Sequence, residues 1–190
     1  MLVQVTVTES CNQVMEVSVL WRYEDLVGAF GAESVVRYSE ADLAGLGLPP
    51  QAEQVLTEIG LPSSVGRDYM KLVAPSRFSV AETGQSFLRL YGSYSNDFAL
   101  NLSTGEVWRV SNSHPAISQS FVNSDIASFA QCISRFTLFL RYLPETRSDE
   151  ESVEWSRQLE EQVGAIDPRC LTEQDAFFAN AVFEVRIGMM

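Results

Sequence analysis

In the second half of this chain the hydrophobic pattern passes from strand-like runs to a helical period, and that change narrows the class of fold it can reach. Between residues 77 and 110 four short runs rich in apolar side chains follow one another, Arg77 to Val80, Ser86 to Tyr91, Asp97 to Leu102 and Glu106 to Val110. Breaks containing Gly and Ser separate them, so they predict successive strands. The sharpest hairpin joins Asp97 to Leu102 with Glu106 to Val110 through Ser103-Thr104-Gly105-Glu106, where Gly105 adopts positive φ at little cost. From residue 123 onward apolar residues recur every three or four positions instead. A block of strands followed by a block of helices predicts an α+β fold, a twisted antiparallel sheet packed by helices, with a helical C-terminal third.

Asn123 or Ser124 is the expected cap of a helix carrying Ile126, Phe129, Ile133, Phe136 and Leu140, with Leu143 continuing the stripe to Pro144. Ser148-Asp149-Glu150-Glu151 fits a capping box, and Val153, Leu159 and Val163 give the next helix a narrow seam before Gly164. A last helix starts at Thr172 to Asp175, carries Phe177, Phe178, Val182 and Val185, and stops at Gly188. Residues 148–188 are therefore the C-terminal helices, joined by the loop Pro144 to Ser148. Upstream, alternation over residues 2–8 and 14–20 predicts an additional N-terminal hairpin within residues 1–21. A short helix from Tyr23 to Phe30, a strand at Val35 to Tyr38 and a helix from Pro49 to Gly60 follow. The length of 190 residues fits one domain, 1–190.

Charge narrows the function. Thirteen Lys and Arg stand against 25 Asp and Glu, a net charge of −12, which excludes sequence-independent binding to nucleic acid. A charged partner of such a surface is basic. No apolar run approaches the roughly 18 to 20 residues that cross a bilayer, and the first eight residues lack the cationic and apolar regions of a signal peptide. Cys11, Cys132 and Cys170 lie far apart, without metal or redox spacing. The expectation is a reduced cytoplasmic protein with no membrane partner.

Reactive chemistry leaves little trace. His114, the only histidine, stands in the loop-like Ser111-Asn112-Ser113-His114-Pro115. No nucleophile elbow, dinucleotide fingerprint or phosphate loop is present, and the acids show no calcium-loop spacing. Cys132 sits in an apolar helix and is expected to be buried and inert. The sequence thus predicts no catalytic residue, no metal and no cofactor, and only unpaired cryptic carboxylates sustain an enzymatic alternative.

The acids Asp149, Glu150, Glu151, Glu154, Glu160 and Glu161 form either a solvated helix face or a patch for a basic partner. Among the aromatics able to anchor an interface, Trp21, Tyr23, Tyr91, Tyr94, Trp108 and Trp155, Trp155 falls outside the expected seam of its helix. The candidate partner-binding residues are therefore Trp155, Asp149, Glu150, Glu151 and Glu154. The edge of the N-terminal hairpin offers a second kind of partner, another copy of the chain in a homodimer.

Several segments together resemble a known family. Gly60-Leu61-Pro62 after a helix, the hairpin from Asp97 to Trp108, the phrase Phe121-Val122-Asn123-Ser124-Asp125-Ile126-Ala127-Ser128-Phe129 and Ala165-Ile166-Asp167-Pro168 are similar to the SUKH superfamily. Within it they resemble the fourth group of bacterial immunity proteins. With the closing helix the likeness spans residues 22 to 188. It implies an antiparallel sheet packed by helices, no catalysis, and an antidote that binds a cognate polymorphic toxin of nuclease or nucleic-acid deaminase type. The alternative is a regulatory or scaffold interaction module of the same fold.

Overall fold

The computed structural model describes residues 22–66, 69–81, 83–111 and 118–190. The hairpin expected within residues 1–21, Cys11, Trp21 and His114 lie outside the described residues. In chain order the elements are α1 (Tyr23–Phe30), a 3-10 turn (Ala32–Ser34), β1 (Val35–Val36), α2 (Glu40–Leu43), α3 (Pro50–Gln54), β2 (Leu61–Pro62), β3 (Ser64–Val65) and β4 (Met70–Ser79). Then come β5 (Ser86–Gly92), β6 (Asn96–Asn101), β7 (Val107–Ser111), β8 (Ser118–Asn123), α4 (Ile126–Tyr142), α5 (Asp149–Ile166), α6 (Arg169–Thr172) and α7 (Phe177–Arg186).

The architecture is α+β. Strands β3 to β8 form one antiparallel sheet in sequential order, and β1 pairs with β2 in a separate ribbon. The predicted hairpin is β6–β7, with Leu100 opposite Val107 and Phe98 opposite Arg109. Gly105 turns it at φ 79°.

Two strands depart from the expectation. Strand β4 begins at Met70, not Arg77, because Pro75 sits where the register slips between Leu72 and Ser76. A proline has no N–H for the ladder and is tolerated at such a bulge, so it hid the strand's first half. Strand β8 was not anticipated. Its outer half, Ser118-Gln119-Ser120, is too polar to signal a strand alone, and it gains order by pairing with β7.

Side chains on one face of the sheet meet α4 and α7. Phe98 lies edge-on to Phe129 of α4 at 5.6 Å and to Phe177 of α7 at 4.9 Å, and Phe136 contacts Phe177 at 5.7 Å. Such edge-to-face pairs add about 0.5 to 1.5 kcal/mol each beyond area burial. Alternate strand residues point to the opposite face, where Val80, Phe87, Ala99 and Val110 form a smaller buried cluster.

The helix predicted from Pro49 to Gly60 is α3 continued by a π turn (Val55–Ile59), closed by Gly60 N–H donating to Val55 O at 2.8 Å. Helix α4 buries Ile126, Phe129, Ile133 and Phe136 as expected. Its cap, however, is Asp125, whose Oδ1 accepts from Ser128 N–H at 2.7 Å. Asn123 and Ser124 turn away to a different task. Asp167, 4% exposed, accepts from Asn123 Nδ2 at 3.1 Å, from Ser124 N–H at 2.7 Å and from Ser124 Oγ at 3.0 Å. This buried carboxylate ties the end of β8 to the end of α5. The final helix starts at Phe177 rather than at Thr172 to Asp175, because Asp175 takes a φ of 56° and separates it from α6.

Candidate functional site

Two surfaces are candidates for a functional site: the acidic helix α5 that the sequence singled out, and a cleft that it did not. The predicted capping box of α5 is present, with Ser148 N–H donating to Glu151 Oε2 at 2.7 Å and Glu151 N–H to Ser148 Oγ at 3.2 Å. Leu159 and Val163 of the predicted seam are buried as expected, but Val153 is not. Trp155 is 6% exposed and packs edge-on against Phe139 of α4 at 5.5 Å, whereas Val153 is 52% exposed. The helix buries Ser152, Trp155, Ser156, Leu159 and Val163. Two serines sit in that row because they let α7 approach closely. Ser156 keeps its hydroxyl satisfied by donating to Val153 O at 2.7 Å. Trp155 is therefore a core residue, and its ring is not presented as a surface anchor.

Asp149, Glu150, Glu151 and Glu154 are all exposed, but they are not equally available. Glu151 is held by the cap, and the Ser148 backbone and hydroxyl lower its pKa. Glu154 accepts from Arg157 at 2.6 and 3.0 Å and from Gln158 at 2.7 Å, and these bonds bring its pKa down to about 2. The same Arg157 also reaches Glu161, and Arg186 of α7 pairs with Glu160 at 3.2 Å. Asp149 and Glu150, in the first turn, have no ion-pair partner among the described residues. The face is acidic at its N-terminal end and largely self-neutralised further along.

The cleft, of about 490 Å³, opens where Gly66 and Tyr69 meet the C-terminal half of α4 and one side of α7. Phe136, Leu140, Leu143, Phe177 and Ala181 form its apolar wall. Leu140 continues the predicted stripe of α4 yet stays only half-buried, because there it faces this opening and not the core. Among the described residues, the charged side chains that line it with this wall are Arg109, Glu145, Arg147 and Glu184. Arg109 comes from the helix-facing side of β7. Its Nε donates to Ser120 Oγ of β8 at 3.1 Å, and its guanidinium carbon lies 5.8 Å from the Phe177 ring centre. Arg147 is engaged by backbone, donating to the carbonyl oxygens of Pro144 and Met190. A smaller cavity of about 310 Å³, more polar and lined by Ser63, Ser64, Thr137 and Arg141, meets the first at Gly66. The contributors to the cleft are spread from residue 66 to residue 190, so no local motif announces it.

Other groups play structural parts. Cys132 and Cys170 are both buried as free thiols near the Val163 carbonyl, at 3.9 and 3.8 Å. Burial pushes the Cys132 thiol well above its ordinary value. Tyr91 is fully buried and donates to Pro62 O at 2.7 Å, while Tyr94 is fully exposed in the β5–β6 turn. Among the described residues no three His, Cys, Asp or Glu side chains converge as a metal site would require, and no helix is long and apolar enough to cross a membrane.

Compared with known families, the chain matches the SUKH-4 immunity protein model over residues 22–184. No curated protein and no solved structure matches it.

Proposed function

The chain belongs to the SUKH-4 immunity protein family, and from that membership we propose that it binds and neutralises a cognate bacterial toxin domain in the cytoplasm, as a single domain without catalysis or cofactor. The observation that carries this reading is the span of the family match, which takes in the whole six-stranded sheet, α4, α5 and most of α7. The toxin class that best suits the surface is a nuclease or nucleic-acid deaminase of the polymorphic kind. Such an enzyme presents a cationic groove to its substrate, and a body of net charge −12 is attracted to it. Asp149 and Glu150 supply unpaired charge at the tip of α5, with Glu151 and Glu154 as part of the same face. Occlusion of the toxin's groove then blocks access of nucleic acid.

The test is co-purification with, and binding kinetics against, toxin domains encoded beside this gene. Association is expected to slow as salt rises, because screening shortens the reach of surface charge. Reversal of Asp149 and Glu150 to Lys is expected to lower the association rate more than it raises the dissociation rate. No complex with any neighbouring toxin domain removes the reading.

A further inference from the structure

We infer that the cleft between α4, α7 and the residues Gly66 and Tyr69 holds an extended protein segment by one large apolar side chain; on the toxin-binding reading, on which the identity of the partner rests, the segment belongs to the toxin.

Size is the first argument. A volume of about 490 Å³ falls within the roughly 300 to 1,000 Å³ typical of sites that enclose a bound group. The wall supplied by Phe136, Leu140, Leu143 and Phe177 is matched to an apolar one. The charges around the wall then select what accompanies that group. Among the described residues the lining carries two arginines, Arg109 and Arg147, and two glutamates, Glu145 and Glu184, a balanced set in a chain whose net charge is −12. A strongly anionic or cationic occupant meets repulsion from one pair. A neutral main chain does not: its carbonyls suit the Arg109 guanidinium, and its N–H groups suit the Glu184 carboxylate.

The surface beside the opening distinguishes a protein from a small molecule. On α7, Asn180 and Glu184 line the cleft, and Phe183 and Ile187 occupy the next row of the helix. Those two side chains are 57% and 48% exposed. Exposed apolar groups continuing from the cleft rim mark a contact wider than the cleft. A small molecule inside it leaves them in water, whereas a protein partner covers them.

This surface is distinct from the first turn of α5. The acids there bear on encounter, while the cleft bears on retention.

The experiment uses the full chain. Asn180→Trp and Glu184→Trp place a ring into the opening from exposed or half-exposed helix positions, and Asn180→Ala leaves it open. With the neighbouring toxin domain, both Trp variants are expected to weaken binding about 30-fold, as loss of one anchor does, at unchanged melting temperature, while Asn180→Ala binds like the parent. Equal affinity for all four proteins overturns the cleft assignment and leaves toxin binding intact. A second arm needs no toxin: the parent is titrated with N-acetylphenylalaninamide at millimolar concentration and followed by amide chemical shifts. Saturable changes confined to the surroundings of Tyr69, Arg109, Leu140 and Asn180, absent with N-acetylglycinamide and in Asn180→Trp, support the cleft. No localised change overturns it. If no toxin binds but these shifts appear, the toxin reading fails and the cleft stands. A dimer of the parent that Asn180→Trp dissociates overturns the toxin as occupant and gives the cleft to a second copy of this chain.

Discussion

Replacing Trp155 by Ala separates two incompatible descriptions of helix α5. If the ring is a surface anchor, its loss weakens partner binding and leaves the fold alone; if it is core, the reverse holds. The magnitude follows from its burial. A buried aromatic side chain removes roughly 150 to 250 Å² from water, and at about 25 cal/mol per Å² the larger end corresponds to about 6 kcal/mol. The retained Cβ and a compact unfolded chain reduce that sum, while loss of the edge-on contact with Phe139 at 5.5 Å adds about 1 kcal/mol. The expected cost is about 4 kcal/mol, inside the range of about 3 to 5 found for such truncations. For a chain of this length that lowers the melting temperature by roughly 10 °C. Urea unfolding at 25 °C should show the midpoint shift with an unchanged slope. Val153→Ala, by contrast, is expected to stay within about 0.5 kcal/mol of the parent. A Trp155→Ala loss below about 1 kcal/mol, or a Val153→Ala loss above it, refutes the placement of the seam.

Asp167→Ala is expected to cost about 1 to 3 kcal/mol by chemical denaturation, because it strands the buried Asn123 amide and the half-buried donors of Ser124; a loss well under about 1 kcal/mol means that water replaces the carboxylate. Gly60→Ala should destabilise by more than about 1 kcal/mol, since its φ of 85° disfavours any side chain and the new Cβ would lie 2.6 Å from Val36 O. A neutral result there means that the β1–β2 ribbon is free to shift. The pH dependence has a definite sign. Glu154, lowered to about 2, and Asp25, Asp42 and Glu151, lowered by their own hydrogen bonds, stabilise the fold above their unfolded values and cease to do so as pH falls through the folded ones. Melting temperature should therefore drop between about pH 5 and about pH 2, and Glu154→Gln should flatten part of the drop at low salt and little of it at high salt. A melting curve that is flat over that interval contradicts the hydrogen-bonded geometry.

The elements that the sequence announced are those whose signal is local. Helix α1 ends at Gly31, the β6–β7 hairpin turns at Gly105, and α5 starts in a capping box; each depends on residues within a few positions of one another. Where order depends on distant partners, the local pattern misled. Pro75 masks the first half of β4, and polar residues mask β8, because their hydrogen bonds come from neighbouring strands. The seam of α5 was misplaced for a related reason. Ser152 and Ser156 look polar in the sequence but are buried, which shifts the inward face from Val153 to Trp155. For the candidate surface, the exposed acids were legible as charge, yet the pairing of Glu154 and Glu161 with Arg157 and of Glu160 with Arg186 was not. The cleft was invisible because Arg109, Leu140 and Glu184 meet only after the sheet has folded beneath the helices.

The acidic face and the cleft also answer a difficulty in treating net charge as the basis of inhibition. Charge of −12 attracts any cationic surface, but attraction between exposed groups weakens with salt and adds little to the lifetime of a complex. On α5 much of that charge is already spent on the helix itself: Glu154 and Glu161 share Arg157, and Glu160 faces Arg186. A lasting complex therefore calls for buried apolar contact, which on the inference above the cleft flanked by Phe183 and Ile187 supplies. The division carries its own check, since effects at sites without shared partners add. Combining the Asp149 and Glu150 reversals with Asn180→Trp should give the sum of the two free-energy losses, the first read in association and the second in dissociation. A strongly non-additive result means that one surface, not two, meets the partner.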